Sequence, residues 1–132
     1  MNNSAILDTN ILIDLLAGTL DMRNIKKNFP KYIAYASFMT RVELLSYPKI
    51  TVDQENTIEQ LFKVIKLIPY NEDIENSAIL LRRKFNIKIP DAFIVATALA
   101  HNAILITNDS KLITLNWPAL DVRSIITQVD KN

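Results

Sequence analysis

The chain has 132 residues, of which 49% are apolar and 22% charged, and its net charge is +1. That length and apolar share suit a single domain spanning residues 1–132 with a substantial core, and the balanced charge excludes any global attraction to nucleic acid or to an anionic membrane. The absence of cysteine excludes a disulfide framework, a thiolate zinc site and a cysteine nucleophile, which favours a reducing, cytoplasmic setting.

Near the N-terminus there is no basic segment, and the apolar runs around Ile6 and Ile11 are broken by Asp8, Asn10 and Asp14, unlike a signal peptide. A first strand is expected over residues 5–7, followed by a helix over 11–17 that Asn10 caps and Gly18 closes. A short helix over 22–28 is stopped by Pro30, and a second strand follows over 32–36. Ser37 then precedes a helix carrying Val42, Leu44, Leu45 and Tyr47 and ending before Pro48. Asp53 opens the next helix, in which Ile58, Leu61, Phe62 and Ile65 recur at helical spacing, and a third strand is expected over 64–68. Asn71 or Asp73 begins a helix that runs to Phe85.

Pro90 suits the first position of the following helix and puts Asp91 in its first turn, where a negative charge complements the dipole. The apolar stretch 92–100, interrupted only by Thr97, is about half the length that spans a bilayer, so it reads as a buried helix and no membrane association is expected. Strands over 103–106 and 120–125 complete the pattern, and residues 128–132 read as a frayed polar tail. Alternating strands and helices predict an α/β fold, with a central parallel sheet of about five strands covered on both faces.

Four acids stand out. Asp8 and Asp109 each follow an apolar strand, and parallel strands deliver both carboxylates to the same sheet edge. Glu43 and Asp91 lie in strongly apolar helical segments that start near that edge, so a buried acidic cluster is expected. Each acid also has an ordinary explanation: a helix cap for Asp8, a turn for Asp109, a first-turn charge for Asp91 and a wet helix stripe for Glu43. Their convergence is what points to chemistry. Carboxylates gathered together repel one another, and a hard divalent cation such as Mg²⁺ or Mn²⁺ removes that conflict. Water activation at a phosphoryl group is the reaction that follows.

Four segments in order resemble the motifs of PIN-domain ribonucleases, most closely the VapC-type toxins. They are Asp8-Thr9-Asn10-Ile11-Leu12-Ile13, Thr40-x-x-Glu43-Leu44, Pro90-Asp91-Ala92-x-Ile94-x-Ala96-x-Ala98 and Ile106-Thr107-Asn108-Asp109. The resemblance covers nearly the whole chain. It implies a three-layer α/β/α PIN-like domain and an endoribonuclease that hydrolyses RNA phosphodiester bonds with Mg²⁺ or Mn²⁺, the toxin of a type II toxin–antitoxin pair. By motif position, Asp8, Glu43, Asp91 and Asp109 are the catalytic and metal-binding acids, with Asp8 and Asp91 first choices for direct contact. Thr107 would orient one of the carboxylates. The implied partners are an RNA, with tRNA among the candidates, a cognate antitoxin with a short helix and an arginine for the acids, and a second copy of the chain. Ser110-Lys111-Leu112 departs from the basic or aromatic residue that the family often carries after its fourth acid, which bears on substrate choice.

Two basic stretches, Arg23, Lys26, Lys27, Lys31 and Arg82, Arg83, Lys84, Lys88, are candidate phosphate grips, although solvated helix faces explain any one member as well. His101, the only histidine, reads as a helix C-terminal residue. Gly18, the only glycine, excludes a Gly-rich phosphate loop and a dinucleotide fingerprint. Asp14 is expected to face solvent, Trp117 and Tyr70 to be packing or loop residues without a functional role, and the apolar first helices to offer a homodimer surface. Two other readings remain open. A haloacid-dehalogenase-like phosphatase would also begin with a strand-end aspartate, but it wants a second aspartate where this chain has Asn10. A catalytically silent cation- or RNA-binding module would keep the acids without turnover.

Overall fold

The computed structural model describes residues 3–125. Five parallel strands, β1 (Ser4–Leu7), β2 (Ile33–Ser37), β3 (Lys66–Ile68), β4 (Ile104–Ile106) and β5 (Val122–Arg123), form one sheet in the order β3-β2-β1-β4-β5. Seven helices lie between them among the described residues: α1 (Thr9–Ala17), α2 (Met22–Asn28), α3 (Phe38–Leu45), α4 (Val52–Val64), α5 (Glu72–Phe85), α6 (Ile89–Ala100) and α7 (Ser110–Thr114).

Two apolar cores put helices on both faces of the sheet. On one face Ile11, Leu12, Leu20, Ile25 and Ile65 pack against Leu7, Ile104 and Ile106; on the other, Ile74, Ala78, Leu81, Ile94 and Leu112 pack against Ile6 and Leu105. Alternate residues of β1 and β4 thus serve opposite layers, as the strand period requires. This is the three-layer α/β/α arrangement that the alternation predicts. Tertiary packing makes α6 apolar nearly all round: Ala92, Ile94, Val95, Ala96, Thr97 and Ala98 are all buried.

Local chemistry sets the boundaries. Asp8, not Asn10, caps α1, its carboxylate accepting the Thr9 backbone N–H, and Gly18 closes that helix in the left-handed region at φ 82°. Thr51 and Gln54 form a reciprocal capping box that starts α4 earlier than Asp53 would. Helix α4 continues through Val64, so β3 is shorter than expected, and Ile65 is its extended cap. Asn71 caps α5, and α6 begins at Ile89, one residue before Pro90. Residues 128–132, expected as a frayed tail, lie outside the described residues.

Candidate active site

The strand order reverses around β1: β2 and β3 lie to one side, β4 and β5 to the other. At such a switch point the connections from neighbouring strands depart in opposite directions, which opens a crevice at the C-terminal ends of the strands. Asp8 directly follows β1, and Asp109 stands three residues after the end of β4. Helices α3 and α6 bring Glu43 and Asp91 to the same place. The Asp91 carboxyl is pushed up to about 6 by burial first, then by the charges of Asp8, Asp109 and Glu43. Burial also raises Asp8, against the lowering effect of its hydrogen bonds from Thr107 and Thr9, with Glu43 and Asp109 adding repulsion.

The expectation of a buried cluster needs correction. Only Asp8 is buried, at 3% exposure, whereas Asp91 and Asp109 are half-buried and Glu43 is exposed. A cluster of like charges is tolerable at a wet rim, where water screens it, and not in a dry core. Among the described residues no three acids are gathered tightly enough to chelate one ion as they stand. The donor chemistry nevertheless suits a hard cation, since the set is all carboxylate oxygen and neighbouring negative charges raise the proton affinity of Asp8 and Asp91.

Hydroxyls and amides position these acids. Thr107, fully buried, donates from Oγ1 to Asp8 Oδ2 at 2.7 Å and accepts the Asp109 backbone N–H at 3.0 Å, linking the two strand-end acids through one hydroxyl. Asn10 donates from Nδ2 to Asp8 Oδ2 at 3.1 Å and to Thr107 Oγ1 at 3.2 Å, while its Oδ1 accepts the Asn108 backbone N–H at 3.2 Å. A second chain serves Glu43. Thr9 Oγ1 donates to Glu43 Oε1 at 2.6 Å and lies 3.0 Å from Thr40 Oγ1. Thr9 has a single hydroxyl proton and commits it to Glu43, so Thr40 is the donor in the second contact.

The sequence singles out Thr107, which hydrogen-bonds Asp8, but Asn10 as a brace and the Thr9–Thr40 pair were not anticipated. The signal was available: Thr40 and Glu43 stand at i and i+3 on one helix face, and Thr9-Asn10 sits on the turn that presents Asp8.

One member of the second basic stretch, Lys88, reaches the site. Lys88, at the start of α6, draws the Asp91 carboxyl downward by its charge, and Lys111 Nζ donates to the Asn86 carbonyl at 3.2 Å. In the first stretch, Arg23 is paired with Asp21. His101 is the C-cap residue of α6, Asp14 accepts from the Thr19 hydroxyl, and Trp117 donates from Nε1 to Leu112 O while stacking on Phe85. Tyr70 packs edge-on against Phe38. A groove of about 660 Å³ opens beside Glu43 between α1, α3 and α4, walled by Ile13, Leu16, Leu44, Tyr47 and Ile58 and bordered by Asp53. No helix among the described residues is long and apolar enough to cross a membrane.

No curated protein sequence matches the chain. Among solved structures, it is similar to VapBC2 of Rickettsia felis bound to a promoter DNA fragment, with a TM-score of 0.78, 21% identity and coverage of 92% of this chain and 98% of that one. A toxin–antitoxin complex from Klebsiella pneumoniae gives a TM-score of 0.70 at 29% identity, covering 94% and 98% of the two chains. VapBC-1 of nontypeable Haemophilus influenzae gives 0.72 at 23% identity, covering 92% and 97%. Residues 5–117 match the family described as the PIN domain. With the sheet order, the ordered motifs and that match in agreement, the chain belongs to the PIN domain family.

Proposed function

We propose that this chain is a Mg²⁺- or Mn²⁺-dependent endoribonuclease that hydrolyses RNA phosphodiester bonds as the VapC-type toxin of a type II toxin–antitoxin pair. The observation that carries the reading is the convergence of Asp8, Glu43, Asp91 and Asp109, from four separate places in the chain, on one crevice at the switch point. PIN family membership and the likeness to toxin–antitoxin complexes support it. The family match sets aside the phosphatase alternative, and the Asn10 amide, donating to Asp8, occupies the position where that enzyme would need a second aspartate.

In this reading Asp8 and Asp91 hold the ion, and Glu43 and Asp109 complete the site directly or through water. A bound divalent ion would supply an activated water and stabilise charge on the phosphate. The chain's own residues do the rest. Thr107 and Asn10 hold the Asp8 carboxylate in one orientation, the Thr40–Thr9 chain aligns Glu43, and one of the four acids takes the proton of the attacking water. In this reading Lys88, whose charge acts on Asp91, would contact a phosphate flanking the cleaved bond.

The apolar groove beside Glu43 suits an antitoxin helix, with acids at its border to receive a basic side chain. The protein would work in the cytoplasm as a homodimer of single-domain chains, with tRNA among its candidate substrates. Cleavage of RNA with Mg²⁺ or Mn²⁺, lost with EDTA and in Asp8→Asn and Asp91→Asn, is the expected result. Undiminished cleavage in both variants removes the proposed site, and no cleavage by the parent protein favours the silent binding module. Sequencing RNA ends after expression of the parent and of Asp8→Asn identifies the substrate.

A further inference from the structure

We propose that Asn108 is a positioning residue, one that ties the aim of the Asp8 carboxylate to the docking of the segment that follows β5. The proposal rests on the reading of Asp8 as a ligand for a divalent ion. Three hydrogen bonds carry it. Asn108 Oδ1 accepts the Ile125 backbone N–H at 3.0 Å, the Asn108 backbone N–H donates to Asn10 Oδ1 at 3.2 Å, and Asn10 Nδ2 donates to Asp8 Oδ2 at 3.1 Å. Two asparagines thus connect residue 125 to residue 8.

Each link is directional. An asparagine amide offers donors on one side and an acceptor oxygen on the other, so its partners set which way it faces. Asn10 donates from Nδ2 to two oxygens, Asp8 Oδ2 and Thr107 Oγ1, and its own oxygen meets the Asn108 N–H. Turned round, that oxygen would meet the Asp8 carboxylate and repel it. The Asn108 N–H therefore fixes the sense of the Asn10 amide, and with it one of the two side-chain bonds to Asp8 Oδ2; the Thr107 hydroxyl makes the other.

The far end of the path is its weak point. Asn108 is exposed, on the turn between β4 and α7, and the strand beyond it, β5, has two residues and lies at the edge of the sheet. Backbone bonds from Leu105 N–H to Asp121 O and from Thr107 N–H to Arg123 O, both 2.9 Å, hold that strand to β4. Ile125, 3% exposed, belongs to the core that contains Leu7 and Ile106. Those two residues directly precede Asp8 and Thr107, so one patch of packing seats both ends of the path. A short edge element opens more readily than a central strand. Opening here withdraws the Ile125 N–H from Asn108, loosens the turn that carries the Asn108 N–H, and frees the Asn10 amide to rotate.

Hydrogen exchange at the amide of residue 108, followed by NMR in metal-free protein, and Mn²⁺ titration of the full chain test the proposal. Asn108→Ala should speed that exchange and weaken Mn²⁺ binding, each by roughly fivefold, as expected for one net hydrogen bond. In RNA cleavage kcat should fall by a similar factor with KM nearly unchanged. Asn108→Asp keeps the acceptor for the Ile125 N–H and should keep exchange at the parental rate. Ile125→Ala removes no polar group, yet it should loosen the segment and reproduce both effects of Asn108→Ala, and the double variant should be no worse than the stronger single one. Ile74→Ala, a substitution in the core on the other face of the sheet, should change neither. Parental exchange and Mn²⁺ affinity in Ile125→Ala, equal effects in Ile74→Ala, or additive effects in the double variant would overturn the proposal. A parent that binds no Mn²⁺ would overturn it together with the nuclease reading, whereas one that binds Mn²⁺ and cleaves no RNA would remove the nuclease reading and leave this one standing.

Discussion

Thr40 carries a polar group into a fully buried position, and what it gains there is a contact with Thr9, which in turn holds Glu43. Thr40→Val keeps the shape and removes that donor, so the Thr9 hydroxyl loses the partner that fixes its direction. The expected result is a fall in kcat for RNA cleavage of roughly 10-fold with KM nearly unchanged, as for other groups that act by orienting a ligand. As single substitutions, Thr9→Ser should keep near-parental rates where Thr9→Val does not; parental rates in Thr40→Val and in both Thr9 variants would show that the chain is only structural. Asp91 gives a second residue-level prediction. Its carboxyl holds a proton up to about pH 6 when folded, whereas the unfolded group releases it near 3.8. Between those values the folded state binds more protons, so stability falls as pH rises, and the full penalty is present above about pH 6. In metal-free protein Asp91→Asn should therefore be more stable than the parent at neutral pH by about 1 kcal/mol after discounting for solvent, and equal to it below the unfolded pKa. Urea titrations at the two pH values check this, and a destabilised variant at neutral pH would contradict the sign.

The elements show why some of the structure could be read from sequence and some could not. Helix α6 was legible because its apolar run is too long for a strand and Pro90 marks its start, and Gly18 marked the end of α1 because only the left-handed region closes that turn. The start of α1 was misassigned, since Asp8 and Asn10 are both good caps and the choice depends on where β1 ends. Helix α7 was missed: five residues, with Leu112 alone buried, carry no periodicity. Glu43 was expected in the interior because its sequence neighbours are apolar, yet Val42 is itself 49% exposed, and the apolar residues of α3 partly wall a groove. Helix α6 carries the energetic prediction of this scale. Ile94 is fully buried between the sheet and the outer helices, and Ile94→Ala should cost about 2–5 kcal/mol by urea unfolding. A cost under about 1 kcal/mol would mean that this core repacks freely around the cavity.

For the molecule as a whole, the acidic crevice sets function against stability. Asp8 and Asp91 are held partly out of water beside other carboxylates, a cost that the hydrogen bonds of Thr107, Asn10 and Thr9 offset only in part. The four acids lie between residues 8 and 109, so their meeting depended on the strand order, which motif order suggested but spacing alone did not fix. If the crevice binds a divalent ion, that ion stabilises the folded chain by mass action, by about 2.7 kcal/mol at a hundredfold excess over its dissociation constant. The ion also competes with protons, because Asp91 stays protonated up to about pH 6 in its absence. The melting temperature should therefore rise on adding Mn²⁺ at pH 7.5, rise much less at pH 5, and respond little in Asp8→Asn combined with Asp91→Asn. Differential scanning fluorimetry through Trp117 reads all three conditions without RNA. An equal rise in the double variant would place the ion elsewhere on the molecule, and a larger rise at pH 5 would exclude carboxylates as its ligands.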